Sequence, residues 1–309
     1  MVTYLARRVG QSLLALFLTL TTVFLLVRLA PGDPAAAYAA PNAPAADLDR
    51  IRAKFGLDEP MINQYGIFLR DLFTGDLGTS YSFHTSAFDV VMDRMPYTVT
   101  LAVAAIALTS VVAVPLGVWM ARRADTKREL GANVLTIAGQ SMPDFWTGVM
   151  LLTVFAVLLP VLPASGFTSW SGLVLPTVTV AVLQLALVSR LVRREMVTAL
   201  TAPYTTVARS RGVSEPSLTW SYGLRNSAVP LLTTLGTRFA ALLNGVVVVE
   251  VVFGWPGVGS LVVRALATRD YPLIQATVLV TATLAILVQL LVDLAYPLLD
   301  PRVRLGKAA

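Results

Sequence analysis

The chain has no cysteine and a single histidine, His84, among its 309 residues. Without cysteine there are no disulfides, no thiolate metal sites and no thiol nucleophile. One histidine, placed outside the apolar runs, excludes a histidine-rich metal cluster. Charge is scarce too: 14% of residues are Asp, Glu, Lys or Arg and 56% are apolar, where soluble domains carry about 25% charge. No HExxH segment is present, and no GxxxxGK followed by Ser or Thr; Gly306-Lys307 lacks the earlier glycine and the following hydroxyl residue. Only serine or aspartate chemistry would remain to a membrane enzyme, and no recognisable pairing of such residues stands out. The composition describes a polytopic membrane protein without nucleotide chemistry of its own.

What is abundant is apolar sequence. Charge-free runs occupy Val9–Val27, Met95–Ala121, Phe145–Ser189 and Tyr271–Val292, and a membrane helix needs about 20 such residues. The third run is too long for one helix and is punctuated by Pro160, Pro163, Gly166 and Gly172, so it divides into two spans. The first of these takes in Asp144 and is expected to begin near Ala132. A further span carries Arg238 and Glu250 near its ends. The prediction is an all-α polytopic protein with six transmembrane helices, at about 9–30, 96–121, 132–160, 173–198, 231–253 and 273–297. Arg7-Arg8, the first apolar run and AAAYAA at 35–40 follow a signal-peptide pattern. The run of 19 residues exceeds the usual apolar core of such peptides, so an uncleaved first helix is expected.

The net charge of +6 reads as membrane topology rather than nucleic-acid binding. Arg7, Arg8, Arg122, Arg123, Lys127 and Arg128 fall on one side with six arginines between Arg190 and Arg225, and with Arg302, Arg304 and Lys307. The loop 160–172 has no Lys or Arg, and 254–272 has only Arg264 and Arg269. Both termini are therefore expected in the cytoplasm.

Two polar regions stand out. Segment 31–95 opens with PGDPAAAYAAPNAPAAD, then suggests a short helix from Asp47 to Phe55 capped by Asp47. A second helix is expected over Asp58–Phe73, with Pro60 in its first turn and Ile62, Tyr65 and Leu69 on one face. TGDLGTSYS reads as turns. The segment forms either a solvated outer loop or, as preferred, a small cap over the entrance, open to a delivering partner. The other region, Pro203–Pro230, is 28 residues long, far more than a helix connection needs. Pro203–Arg211 suits a two-turn helix with Thr201 as cap and Tyr204, Val207 and Ala208 on one face. Gly212 suits the left-handed residue that ends it. Ser214 then caps a second helix with Pro216 in its first turn, and Trp220 and Leu224 stack one turn apart on its apolar side. Helices this short need support from a partner or from the membrane helices; resting on lipid is the alternative.

ARSRG at 208–212 followed by LRNSAVP at 224–230 resembles the cytoplasmic EAA loop of binding-protein-dependent ABC transporter permeases. The closest likeness is to the dipeptide/oligopeptide/nickel branch. Thr206 and Val207 replace the Glu and first Ala of the general pattern, and Arg225 replaces its proline. That departure puts a specific role for the missing glutamate in doubt, while the coupling role of the loop stands. PGDP at 31–34, FGLDEPMINQYGIFLRDLFTGDLGTSY at 55–81, VVEVVFGWPGVGSLVVRALATRDYP at 248–272 and LLVDLAYPLLDPRVR at 290–304 extend the resemblance along nearly the whole chain. The long outer segment is similar to the B-type inner-membrane subunit. The resemblance implies a type I ABC importer permease fold with cytoplasmic coupling helices. It implies a non-catalytic subunit of the bacterial plasma membrane that forms half of a path for peptides, or for nickel, glutathione or another small solute. Implied partners are a second homologous permease, two ATPase domains and an extracytoplasmic solute-binding protein. Lipid surrounds the chain; nucleic acid is not a partner. The chain itself is expected to hold no cofactor, ATP-Mg lying on the ATPases. The expected coupling residues are Tyr204, Ala208, Arg209, Arg211, Gly212 and Glu215. Gly212 permits the bend, and Arg209, Arg211 and Glu215 touch the ATPase.

Polar residues within the spans are candidates for the path, because each is costly unless it meets protein or water. Asp144, Gln184, Asn244, Glu250 and Asp293 qualify. Interfacial exposure is an alternative for Asp144 and Asp293, ion pairing for Glu250, and a helix–helix bond for Asn244. A secondary transporter would need inverted repeats; the spans show no duplicated pattern.

Overall fold

Charge-free Leu, Val and Ala runs can satisfy their backbone in lipid only by winding into helices. The computed structural model describes residues 2–29, 44–54, 58–167 and 169–299. Its helices are α1 (Val2–Leu29), α2 (Ala45–Lys54), α3 (Met61–Thr74), α4 (Ala87–Arg122), α5 (Lys127–Ser141), α6 (Asp144–Leu152), α7 (Val174–Thr201) and α8 (Pro203–Ser210). They continue as α9 (Glu215–Ser217), α10 (Arg225–Gly245), α11 (Val247–Val252), α12 (Val258–Ala267) and α13 (Tyr271–Leu299). Wider π-helical turns extend α6 through Leu158 and join α9 to α10 over Leu218–Leu224. Among the described residues there is no strand beyond one isolated bridge, Thr79 to Ser86.

Among the described residues, four helical stretches are long and apolar enough to cross a membrane: Arg7–Leu26, Ala87–Arg122, Trp170–Thr201 and Tyr271–Leu294. A fifth arises if α5 and the extended α6 are taken as one broken span. The single helix expected over 132–160 is instead bent by 95° between Ser141 and Asp144. Pro143 is the cause, because its ring drives the preceding residue out of the helical region, and Met142 is accordingly extended at φ −83°, ψ 130°. The helix also starts earlier than expected, at Lys127: Thr126 accepts a hydrogen bond from the Glu129 amide and caps it. The stretch expected as a span at 231–253 is divided at Val246 into α10 and α11.

The chain forms two compact units, residues 1–98 with 256–284, and residues 99–255 with 285–309. In the first unit, Asp47 lies in the first turn of α2 rather than at its cap, and Pro60 is the N-cap of α3 rather than part of its first turn. Tyr65 and Phe68 of α3 pack against Phe24 of α1 with ring centroids 5.2 and 5.3 Å apart, and the Tyr65 and Thr21 hydroxyls share a 2.7 Å hydrogen bond. PGDP at 31–34, AAAYAA and the terminal Arg302, Arg304 and Lys307 lie outside the described residues.

Asp270 fixes the turn that follows α3. It is fully buried, accepts from the Ser80 hydroxyl at 2.6 Å and the Ser82 amide at 2.9 Å, and caps α13 through the Leu273 amide at 3.3 Å. Bonds to a charged acceptor contribute about 1.5–3 kcal/mol, and removing the acceptor leaves buried donors unsatisfied. An Asp270→Ala chain is expected to lose about 3 kcal/mol, read as a lowered thermal midpoint of the purified complex.

The second unit has its core where α4 meets α7. Ala113, Val118, Ala121, Val188, Val192 and Met196 are buried there together. Gly117 makes the approach possible: a Cβ on it would lie 2.6 Å from the Ser189 carbonyl oxygen. Gly236 on α10 plays the same part against Val292, as small residues do between membrane helices. An ion pair holds α5 to α7, Arg193 Nε lying 2.8 Å from Glu129 Oε1 but off the hydrogen-bond line. Arg190 adds a hydrogen bond to Gln140 between the same helices. The Glu129 carboxylate is nearly buried, so removing its charge alone strands Arg193; breaking such a pair costs about 3 kcal/mol. Glu129→Gln is therefore expected to lower the thermal midpoint, and the double variant Glu129→Gln, Arg193→Gln to recover most of it.

Candidate functional site

The site begins where α7 ends. Ala202 is extended at ψ 149° and Pro203 opens α8 at the next position, where its missing N–H is no loss. Thr201 does not cap this helix; its hydroxyl donates to the Val197 carbonyl at 2.8 Å. The Thr205 hydroxyl instead turns inward and donates to the Ala199 carbonyl at 2.7 Å. Thr205 and Ala208 are the buried positions of α8. Of the face expected from the sequence, Ala208 therefore points in, while Tyr204 and Val207 remain 45% and 48% exposed. Arg211, one turn beyond Val207, is exposed beside them.

Gly212 ends α8 as expected, at φ +82°. Its amide donates to the Arg209 carbonyl at 3.0 Å, and the Val213 amide reaches back to Ala208 at 3.2 Å. This double closure satisfies the last carbonyls and turns the chain sharply. Across the turn, Arg209 Nε donates to Glu215 Oε1 at 2.7 Å. That hydrogen bond holds the exposed Glu215 carboxyl below its ordinary range and Arg209 above its own, so both are charged at neutral pH. Arg209 and Glu215 thus engage each other, leaving Tyr204, Val207 and Arg211 as the open ridge.

The second short helix is not separate. Ser214 occupies the cap position without a side-chain bond, and from Glu215 the winding runs without a break into α10. The π-helical turn changes which residues face inward: Leu218, Thr219 and Gly223 are buried, while Trp220 is 51% exposed rather than stacked with Leu224 on a covered face. Gly223 lies close to Met196: a Cβ there would come within 2.7 Å of Met196 Cε, the flexible end of that side chain. The sharp connection of the long insert is therefore only Arg211–Ser214, and α8 is braced by α7 on one side and by the π-helical turn Leu218–Leu224 on the other.

The path candidates are dispersed. Gln184 lies midway along α7, and its side-chain oxygen is buried without a hydrogen-bond partner. Asp144 is the first residue of α6, at the 95° bend, where a carboxylate meets the positive end of the helix. Glu250 is fully buried on α11 and lines no open surface of the chain. Asp293 accepts from Gln289 at 3.3 Å within α13. Asn244 is in the last turn of α10, and its side chain lies outside the described residues. The sequence reading missed Glu129, Gly117 and Asp270. For Glu129 a signal was present: Thr126 and Glu129 have the Thr-x-x-Glu spacing of a capping box.

Several helices long and apolar enough to cross a membrane describe a multi-pass membrane protein. Residues 113–305 match the family described as binding-protein-dependent transport system inner membrane component, and residues 1–102 match the N-terminal family of the same transport-system membrane components. The chain belongs to this family of transport permeases. It is 35% identical over 312 residues to a protein of Brucella abortus named as a peptide transport system permease, across 98% of this chain and 99% of that one. It is 33% identical over 306 residues to the dipeptide transport system permease protein DppB of Lactococcus lactis, across 99% and 100%. It is 35% identical over 308 residues to the glutathione transport system permease protein GsiC of Escherichia coli, across 98% and 99%.

Proposed function

We propose that the chain is the permease of an ATP-driven peptide importer and that α8 is the element through which a separate ATPase moves it. The open ridge of Tyr204, Val207 and Arg211 on a helix locked by Gly212 carries this reading. A short helix braced at both ends transmits a push, whereas a loose loop of equal length would absorb it. Arg209 and Glu215 shape the turn, Ala208 seats the helix, and the ridge enters the ATPase. In this reading six helices cross the bacterial inner membrane, α5 and α6 forming one broken crossing and α10 with α11 another. Both termini and α8 are cytoplasmic, in line with the arginine distribution.

A second, homologous permease completes the path, an extracytoplasmic binding protein delivers the cargo, and ATP-Mg is bound and hydrolysed on the partner ATPases. Gln184, whose side-chain oxygen is buried in this chain without a hydrogen-bond partner, is the polar group within the spans that we assign to the neighbourhood of the path. Peptides are the preferred cargo because two of the relatives described above are named for peptide or dipeptide transport, and glutathione is itself a small peptide. The assembled transporter in proteoliposomes is expected to accumulate labelled dipeptide only when ATP is supplied to the ATPase face, with glutathione tested as competitor. Uptake driven by an ion gradient without ATP would overturn the reading.

A further inference from the structure

Helix α3 carries large apolar side chains on two faces, one turned to α1 and one turned outward. At 100° per residue, Tyr65, Phe68 and Leu72 share the side that packs on α1, while Ile62, Leu69 and Phe73 form the adjoining stripe. The ends of that stripe are open, with Ile62 76% and Phe73 86% exposed, while Leu69 between them is half-buried. Its polar Gln64 and Asp71 turn the other way, into a cleft of about 150 Å³ lined also by Arg28 and Tyr81. Arg70 and Asn63 border the open stripe on its far edge and are exposed. A helix in water would direct its polar residues outward and its apolar residues to the protein; here large apolar side chains point out.

The height of α3 is set by its contacts. Phe24 and Thr21, which it touches, lie two and five residues inside the end of the apolar span at Leu26. At 1.5 Å per residue that places the contact about 3–8 Å below the end of the span, the depth at which interfacial helices bury their apolar face. Arg28 marks the same boundary, its guanidinium lying 5.4 Å from the Phe24 ring and 5.9 Å from the Tyr271 ring. Cations that reach from a buried stem and tyrosines are both characteristic of the membrane–water interface. Leu25 and Leu26, the last residues of the apolar span of α1, are exposed as well.

We infer that α3 is an interfacial helix, its Ile62–Leu69–Phe73 stripe embedded in the bilayer leaflet at the C-terminal end of α1, with Arg70 at the phosphate level. The occupant of the stripe is lipid acyl chain. The helix anchors the outer segment to the membrane and holds the Arg28 cleft at the interface. The natural absence of cysteine allows a direct test. Ile62→Cys, Phe73→Cys and, as controls, Asn63→Cys and Arg70→Cys are spin-labelled singly in the assembled transporter in phospholipid nanodiscs. Accessibility to oxygen and to a water-soluble nickel chelate is then read at each site. Positions 62 and 73 are expected to favour oxygen several-fold more than 63 and 70. Equal access of the nickel chelate at all four sites would overturn the inference, placing α3 in water. Labels at 62 and 73 that are immobilised and shielded from both reagents would also overturn it, placing a protein on the stripe.

Discussion

A Gly212→Trp chain is expected to insert, to assemble with its partner permease, and to lose both transport and substrate-stimulated ATP hydrolysis. The residue sits at φ +82°, where a side chain costs about 1–2 kcal/mol because its Cβ crowds the following carbonyl. No atom stands within 4 Å of the position a Cβ would take, so the substitution clashes with nothing in the core and leaves the membrane helices intact. What it disturbs is the closure from Gly212 and Val213 back to Arg209 and Ala208, and with it the fixed direction of the ridge. The indole would also stand beside Arg211, on the ridge proposed above to enter the ATPase. ATPase and uptake assays on the same reconstituted complex separate uncoupling from loss of protein. Unimpaired transport would remove α8 from the coupling role.

Gly117→Leu is expected to fail in the opposite way, through loss of the folded permease. A Cβ at this position meets the Ser189 carbonyl oxygen at 2.6 Å and Val192 Cβ at the same distance. The carbonyl is part of a helix and cannot rotate aside, so α4 and α7 must separate. Overpacking of this kind costs about 1–3 kcal/mol or more, and separation also opens the cluster around Val188, Val192 and Met196. The yield of monodisperse complex and its thermal midpoint should both fall, with Gly117→Ala between the wild type and Gly117→Leu. An unchanged midpoint in Gly117→Leu would show that the seam is not tight. The two glycines thus divide the molecule physically: Gly212 is required for its backbone angle in an open place, Gly117 for lack of volume in a closed one.

Hydropathy located the four long apolar helices found among the described residues, because a charge-free run is a local property of the chain. The end of α8 was legible for the same reason, since a left-handed residue after a short helix favours glycine. Winding was not legible. The π-helical turn at Leu218–Leu224 shifts the buried face, and nothing in the spacing of Trp220 and Leu224 announces it. The bend at Pro143 was overlooked because the span was extended back across Asp144 to Ala132, although the proline itself was a sufficient signal. Face assignment on α8 failed at Ala208 because its partners, at the end of α7, are set by how the two helices meet. Asp270 could not be found from the sequence, as its partners Ser80 and Ser82 are 190 and 188 residues away.

The most direct test uses Val207→Cys, the only thiol in an otherwise cysteine-free chain, carrying a photoactivatable benzophenone in the transport-competent complex. Irradiation is expected to yield an adduct between this chain and an ATPase subunit, and the adduct should block ATP-driven uptake. The same probe at Trp170→Cys, exposed near the start of α7, should give none. Absence of an ATPase adduct at position 207 in a complex that still transports would contradict the assignment of α8 as the coupling element.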